Sequence, residues 1–184
     1  MNLKGDKKYK TKKDIDVVIR NAKAQDILKI IEIKKSVVKE GLYMLRGIGE
    51  TNYTFEGEKK DIENHLTNKG SLYIVAEAEN AVVGFLEFEN GGFSKTAHSG
   101  MLSMFILKKW RECGIGKMLM ENMILWAEKN PLIEKLTLAV FSSNIRAQNL
   151  YKKFGFAEEG RCPKDMKLKD GTYIDSVLMY KFVK

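Results

Sequence analysis

The stretch Met104-Phe-Ile-Leu-Lys-Lys-Trp-Arg-Glu-Cys-Gly-Ile-Gly-Lys117 decides how this chain folds. Its apolar start reads as the end of a strand, and a long amphipathic run follows Gly116, so the residues between form a strand-to-helix turn. Arg111, Gly114 and Gly116 lie in that turn. A helix N-terminus carries unpaired N–H groups and a partial positive charge. Glycine lets an anion approach those groups closely, so the local chemistry is that of a phosphate cradle. Two well-known cradles do not fit. A P-loop needs Ser or Thr after Gly-Lys, and Met118 stands there. A dinucleotide fingerprint needs a third glycine three residues after Gly116, and Leu119 stands there.

A second motif lies about thirty residues downstream: Phe141-Ser-Ser-Asn-Ile-Arg-Ala-Gln-Asn-Leu-Tyr-Lys-Lys-Phe-Gly-Phe156. Asn144 is a good N-cap, and Tyr151 follows about two helical turns later on the same side. Gly155 stops the helix and Phe156 begins a strand. The segment is a helix that presents an amide and a phenol towards one place.

Together the two motifs carry a resemblance. Arg111, Gly114 and Gly116 fit the pattern Arg/Gln-x-x-Gly-x-Gly/Ala, and Asn144, Ala147, Tyr151, Gly155 and Phe156 fit Asn-x-x-Ala-x-x-x-Tyr-x-x-x-Gly-Phe. In this order and at this spacing they resemble the GNAT superfamily of N-acetyltransferases, over nearly all of 17–183. The run Glu158-Glu-Gly-Arg161, followed by Lys169-Asp-Gly-Thr-Tyr-Ile-Asp-Ser176, is similar to the group holding ribosomal-protein-type and small-amine N-acetyltransferases.

The resemblance implies an α/β fold. Its mixed, mostly antiparallel sheet has six or seven strands, helices cover both faces, and strands 4 and 5 splay apart. It implies acetyl transfer from acetyl-CoA, the cosubstrate, to a primary amine by direct attack on the thioester. The acceptor would be an amino acid, a small amine or a protein N-terminus. Residues 112–117 (Glu112, Cys113, Gly114, Ile115, Gly116 and Lys117) would bind the pyrophosphate through backbone amides, with Arg111 flanking them. Met104, Phe105 and Ile106 would bind the pantetheine arm as an added strand, and the amides near Phe105 and Ile106 would stabilise the oxyanion. Asn144 would hold the pantetheine, and Tyr151 would protonate the departing thiolate.

The general base stays open. Some relatives use a glutamate late in the fifth strand, and Ala139 stands at that position. Glu87 and Glu89, which share one strand face, His98, or a water chain are the candidates. Cys113 reads as an inert, partly exposed thiol. A catalytically silent acetyl-CoA-binding sensor or scaffold is the alternative reading, which the missing glutamate permits and Tyr151 opposes.

Composition agrees with one globular domain: 184 residues, 44% hydrophobic and 10% aromatic. No apolar run approaches a membrane span, and the first residues have no secretory pattern. Cys113 and Cys162 form neither a disulfide framework nor a metal pattern, so no metal is expected. The expected setting is reducing and cytoplasmic, with a homodimer possible. The net charge is +8, and residues 1–13 hold six lysines against one aspartate. Residues 1–16 therefore read as a basic flexible tail and 17–184 as the domain. Nucleic-acid binding by the tail lacks aromatic interleaving or a recognition helix, and is not expected.

In order, the patterns predict a strand at 17–19, a helix ending at Gly41, a helix at 58–66 and strands at 72–76, 82–89 and 98–107. A helix at 114–129, a strand at 136–140, a helix at 144–154 and two closing strands around the Asp170-Gly171 turn follow. Residues 42–57 lack a clean period and are expected to help form the acceptor pocket.

Overall fold

The computed structural model describes residues 2–45, 47 and 49–184. Eight strands form one sheet: β1 (Lys7–Lys10), β2 (Asp16–Asn21), β3 (Leu72–Ala78), β4 (Ala81–Asn90), β5 (Ser99–Ile106), β6 (Lys135–Phe141), β7 (Ala157–Lys167) and β8 (Tyr173–Phe182). The spatial order is β1-β2-β3-β4-β5-β6-β8-β7. Only β5 and β6 run parallel, because α3 (Ile115–Lys129) makes a crossover between them. The other helices are α1 (Ile27–Glu40), α2 (Phe55–Thr67) and α4 (Ile145–Lys153).

Helices cover both faces of the sheet. Ile27, Ile30 and Ile33 of α1 and Ile62 of α2 pack on Tyr73, Val75 and Phe85. Met118, Leu119 and Met123 of α3, with Tyr151 of α4, pack on Ile74, Leu86 and Leu136 of the opposite face. The sheet centre is thus buried on both sides. This is why β3 reads as a continuous apolar run rather than an alternation.

The splay expected between the fourth and fifth strands is present, at β5 and β6 in this numbering. They pair only at Ser99–Met101 against Lys135–Thr137, while β5 runs on to Ile106 and β6 to Phe141.

Two expectations need correction. Residues 1–16 are not a free tail. Lys7–Lys10 pair antiparallel with Asp16–Ile19, Leu3 enters the core, and the hydroxyl of Tyr9 accepts a bond from Asn122 Nδ2 at 2.8 Å. The four-residue strand is lysine-rich, as an edge strand tends to be. It adds the eighth strand to the six or seven expected. Residues 42–57 include the first turn of α2, whose N-cap Thr54 accepts from Gly57 N–H at 3.1 Å. Arg46 and Ile48 of that stretch lie outside the described residues. No helix among the described residues is long and apolar enough to cross a membrane.

Candidate active site

The turn before α3 has the expected form. Gly114 caps the helix at φ +98°, which only glycine adopts without strain, and no side chain caps the helix. The first-turn N–H groups have no intrahelical acceptors. Gly116 has a second reason to be glycine. A Cβ there would lie 3.2 Å from Leu150 Cδ2 and 3.4 Å from Ile106 Cδ1, so its absence lets α3 close on α4 and β5. Ile115 is core, and Cys113 is buried rather than partly exposed. Glu112 and Lys117 point to solvent, with Lys117 Nζ 3.5 Å from Glu121 and Glu112 Oε1 3.8 Å from Arg146. The cradle of residues 112–117 is therefore backbone on its open side.

The side chain of Arg111 is already engaged within the protein. Its guanidinium is bidentate to Glu40 at 2.6 Å twice, and its Nε donates to Ile106 O at 2.9 Å. The side chain ties the end of β5 and the turn to the last residue of α1.

The register of β5 settles which of its groups are open. Leu107 N–H donates to Val83 O at 3.0 Å, continuing the register in which Phe105 faces Phe85. In an antiparallel pair, hydrogen-bonded positions alternate. Phe105 therefore spends its N–H and C=O on β4, and its ring stacks on Phe85 with centroids 4.7 Å apart. Met104 and Ile106 turn their backbone groups to the other edge, where β6 has already parted from β5. Ile106 O is taken by Arg111, which leaves Met104 N–H, Met104 C=O and Ile106 N–H facing the gap. Of the three predicted strand residues, Phe105 is thus a packing residue.

Asn144 caps α4, and Tyr151 stands on the same helix seven residues later. Asn144 Oδ1 accepts from Ala147 N–H at 3.2 Å, so its amide N–H₂ is not used by the cap. Tyr151 is buried against Phe156, and burial pushes its phenol up to about 12.

On the α1/α2 face lies a cavity of about 840 Å³. All three candidate bases, Glu87, Glu89 and His98, line it. They are not equivalent. Glu87 faces Ser103, the neighbour of Met104 at the gap, whereas Glu89 faces Met101, where β5 and β6 still pair. His98 precedes β5, six residues before Met104, which is roughly 20 Å of extended strand. Only Glu87 stands at the mouth of the gap. Burial raises its carboxyl above the usual range, although Lys34 partly offsets this. Ala139, on β6 across the gap, is exposed and offers no carboxylate.

A charged network that sequence reading missed supports this wall. Lys34 Nζ, on α1, donates to both oxygens of Glu58 of α2 at 3.0 and 2.8 Å, and lies 3.8 Å from Glu87. Tyr73 of β3 donates its hydroxyl to Glu58 at 2.8 Å. Burial opposes the charge of Lys34, but Glu87 and Glu58 outweigh it and hold the ammonium charged. One signal was readable: Lys34 falls at helical spacing on the apolar stripe of Ile27, Ile30 and Ile31, where a lysine needs a buried partner.

This architecture and these motifs match known proteins. Residues 42–156 match the Acetyltransferase (GNAT) family. An N-alpha-acetyltransferase of Sulfolobus acidocaldarius is 30% identical over 156 residues, covering 80% of this chain and 84% of the relative. The L-amino acid N-acetyltransferase AaaT of Escherichia coli is 29% identical over 110 residues, covering 60% of this chain and 67% of the relative. A GNAT-family acetyltransferase structure from Streptococcus pneumoniae superposes with a TM-score of 0.86 at 24% identity, over 90% of this chain and 99% of that one. The chain belongs to the GNAT family of acetyltransferases. It is an acetyl-CoA-dependent N-acetyltransferase, moving an acetyl group to an amine.

Proposed function

We propose that acetyl-CoA lies along the gap between β5 and β6, and that the acceptor amine meets it from the cavity on the α1/α2 face. One observation carries this reading: β5 and β6 part at Met101, between an α3 N-terminus without a side-chain cap on one side and, on the other, a cavity whose wall holds Glu87 and Glu89 beside Lys34, Lys95 and Lys135. The N–H groups of residues 112–117 receive the pyrophosphate. Met104 and Ile106 pair with the pantetheine amides as a neighbouring strand would. Asn144 adds its free N–H₂ to the same arm. Arg111 acts at a distance, by bracing the turn against Glu40.

The chemistry follows from these positions. Glu87 takes a proton from the acceptor ammonium, and the amine nitrogen attacks the thioester carbonyl carbon. A C–N bond forms, and negative charge gathers on the carbonyl oxygen, where Met104 N–H faces the gap. The C–S bond then breaks and the thiolate leaves. Tyr151 donates a hydrogen bond to that sulfur. Burial holds its phenol up at about 12, above an ordinary thiol, so a hydrogen bond to the sulfur precedes transfer of the proton. As the C–S bond breaks, the amide nitrogen sheds its second proton, which replaces the one Tyr151 gives to the thiolate, leaving the amide, the free thiol and a neutral phenol.

The acceptors proposed are the α-amines of amino acids and of protein or peptide N-termini, the classes named for the relatives above. A reducing, cytoplasmic setting fits two free cysteines. The test is free-thiol release from acetyl-CoA against a panel of L-amino acids, short free-N-terminal peptides and simple diamines, with Tyr151→Phe alongside. Turnover with at least a tenfold loss of kcat in the variant is expected. Turnover that Tyr151→Phe leaves intact removes Tyr151 from the mechanism.

A further inference from the structure

One buried polar side-chain atom beside the cavity has no hydrogen-bond partner among the described residues. His65, on α2, is 8% exposed and lines the cavity. Its Nδ1 lies 2.7 Å from Asp61 O. A backbone carbonyl only accepts, so Nδ1 must carry the hydrogen, and in the neutral ring Nε2 is left as a bare acceptor. That Nε2 is buried and has no hydrogen-bond partner among the described residues. Such an orphan costs stability unless something fills its lone pair.

Its surroundings say what that something is. The His65 ring stands edge-on to Tyr73, with centroids 5.3 Å apart. Tyr73 pairs directly with Glu87 across β3 and β4, so the two side chains share one face. His65 and Glu87 therefore look into the same part of the cavity. The charged and titratable groups facing that place are Lys34, Glu58, Asp61, Tyr73 and Glu87. Lys34 is already neutralised by Glu58. Two acceptors meet in this corner, the Glu87 carboxylate, 3.8 Å from the Lys34 ammonium, and the unpartnered imidazole nitrogen of His65.

We propose that His65 Nε2 is a second hydrogen-bond acceptor for the substrate ammonium, so that the cavity seats a primary amine between His65 and Glu87. The seat selects for N–H donors. A primary ammonium has three: one donates to His65, one goes to Glu87 as the proton to be removed, and the third is the proton lost after attack as the amide forms. A tertiary or quaternary ammonium has the charge but cannot make both bonds. This inference rests on the cavity being the acceptor site, as argued above.

The test uses the full chain and two independent readouts. In the first, long-range imidazole ¹H–¹⁵N spectra are recorded during titration with n-butylamine at neutral pH. The His65 Nε2 resonance is expected to move with n-butylamine and stay fixed with tetramethylammonium, which has the same charge and no N–H. Equal shifts from both cations, or none from either, overturn the assignment. In the second, His65→Phe keeps the ring against Tyr73 and removes the orphan nitrogen. It is expected to melt no lower than wild type, with the KM for the amine raised at least tenfold, about 1.4 kcal/mol. The KM for acetyl-CoA is expected to stay unchanged. A lower melting temperature with an unchanged amine KM makes His65 an ordinary core residue and overturns the proposal. If wild type turns over no amine, the acetyl-transfer reading of the cavity has failed, and the spectra still report on the His65 seat alone.

Discussion

At the scale of single residues, Glu87 is the most informative position. Its carboxyl is raised above 4.5, by burial first. As the proposed base it must be ionised, so kcat/KM is expected to rise with pH through a midpoint above the ordinary carboxylate value. Glu87→Gln is expected to flatten that limb and lower kcat by about a hundredfold. The stability effect has the opposite sense. A carboxyl whose folded pKa is raised is least favourable in the folded protein when ionised. That cost is absent below about pH 4.5 and complete above the folded pKa. Glu87→Gln is therefore expected to melt no lower than wild type at pH 7, with any gain shrinking as pH falls. A pH profile of melting temperature checks the sign. Tyr151, held near 12, contributes no alkaline limb below that pH.

At the scale of elements, the turn before α3 depends on a contact its motif does not contain. Arg111 reaches the last residue of α1, and both partners are mostly buried, at 14% and 17% side-chain exposure. A bidentate, partly buried pair of this kind couples by about 1–3 kcal/mol. A double-mutant cycle with Arg111→Gln and Glu40→Gln is expected to show that coupling in chemical denaturation. Glu40→Gln alone is expected to raise the KM for acetyl-CoA several-fold with kcat little changed, although Glu40 lies outside the motif. A coupling near zero would mean that the turn holds its shape without α1.

At the scale of the whole molecule, the first residues belong to the sheet. Deleting residues 1–10 removes β1, buries nothing in place of Leu3 and takes Tyr9 from Asn122. The loss of one buried leucine and a short strand is expected to cost about 2–3 kcal/mol. For a chain of this size that lowers the melting temperature by roughly 5–10 °C. A flexible tail would leave it unchanged, so calorimetry of the truncated protein separates the two. Three of the six lysines of residues 1–13 therefore sit in an edge strand and the rest beside it, so they do not form a free basic arm.

What the sequence determined by itself was local. Gly114, Gly116 and the apolar run before them are adjacent in the chain, so the strand, turn and helix could be read directly. The same holds for Asn144 and Tyr151, two turns apart on one helix, and for the order of strands and helices that the two motifs imply. Tertiary structure decided whatever joins distant residues. Glu40 and Arg111 are 71 positions apart, Lys34 and Glu58 are 24 apart, and no periodicity links either pair. Three candidate bases looked alike in the sequence because strand period says only which face a residue takes. The point where β5 leaves β6 sets Glu87 apart from Glu89 and His98 in position, since only the register against a neighbouring strand fixes how far along the sheet a side chain stands. Sequence patterns record local geometry, whereas the gap proposed for acetyl-CoA is made by strands that are remote in the chain and then part.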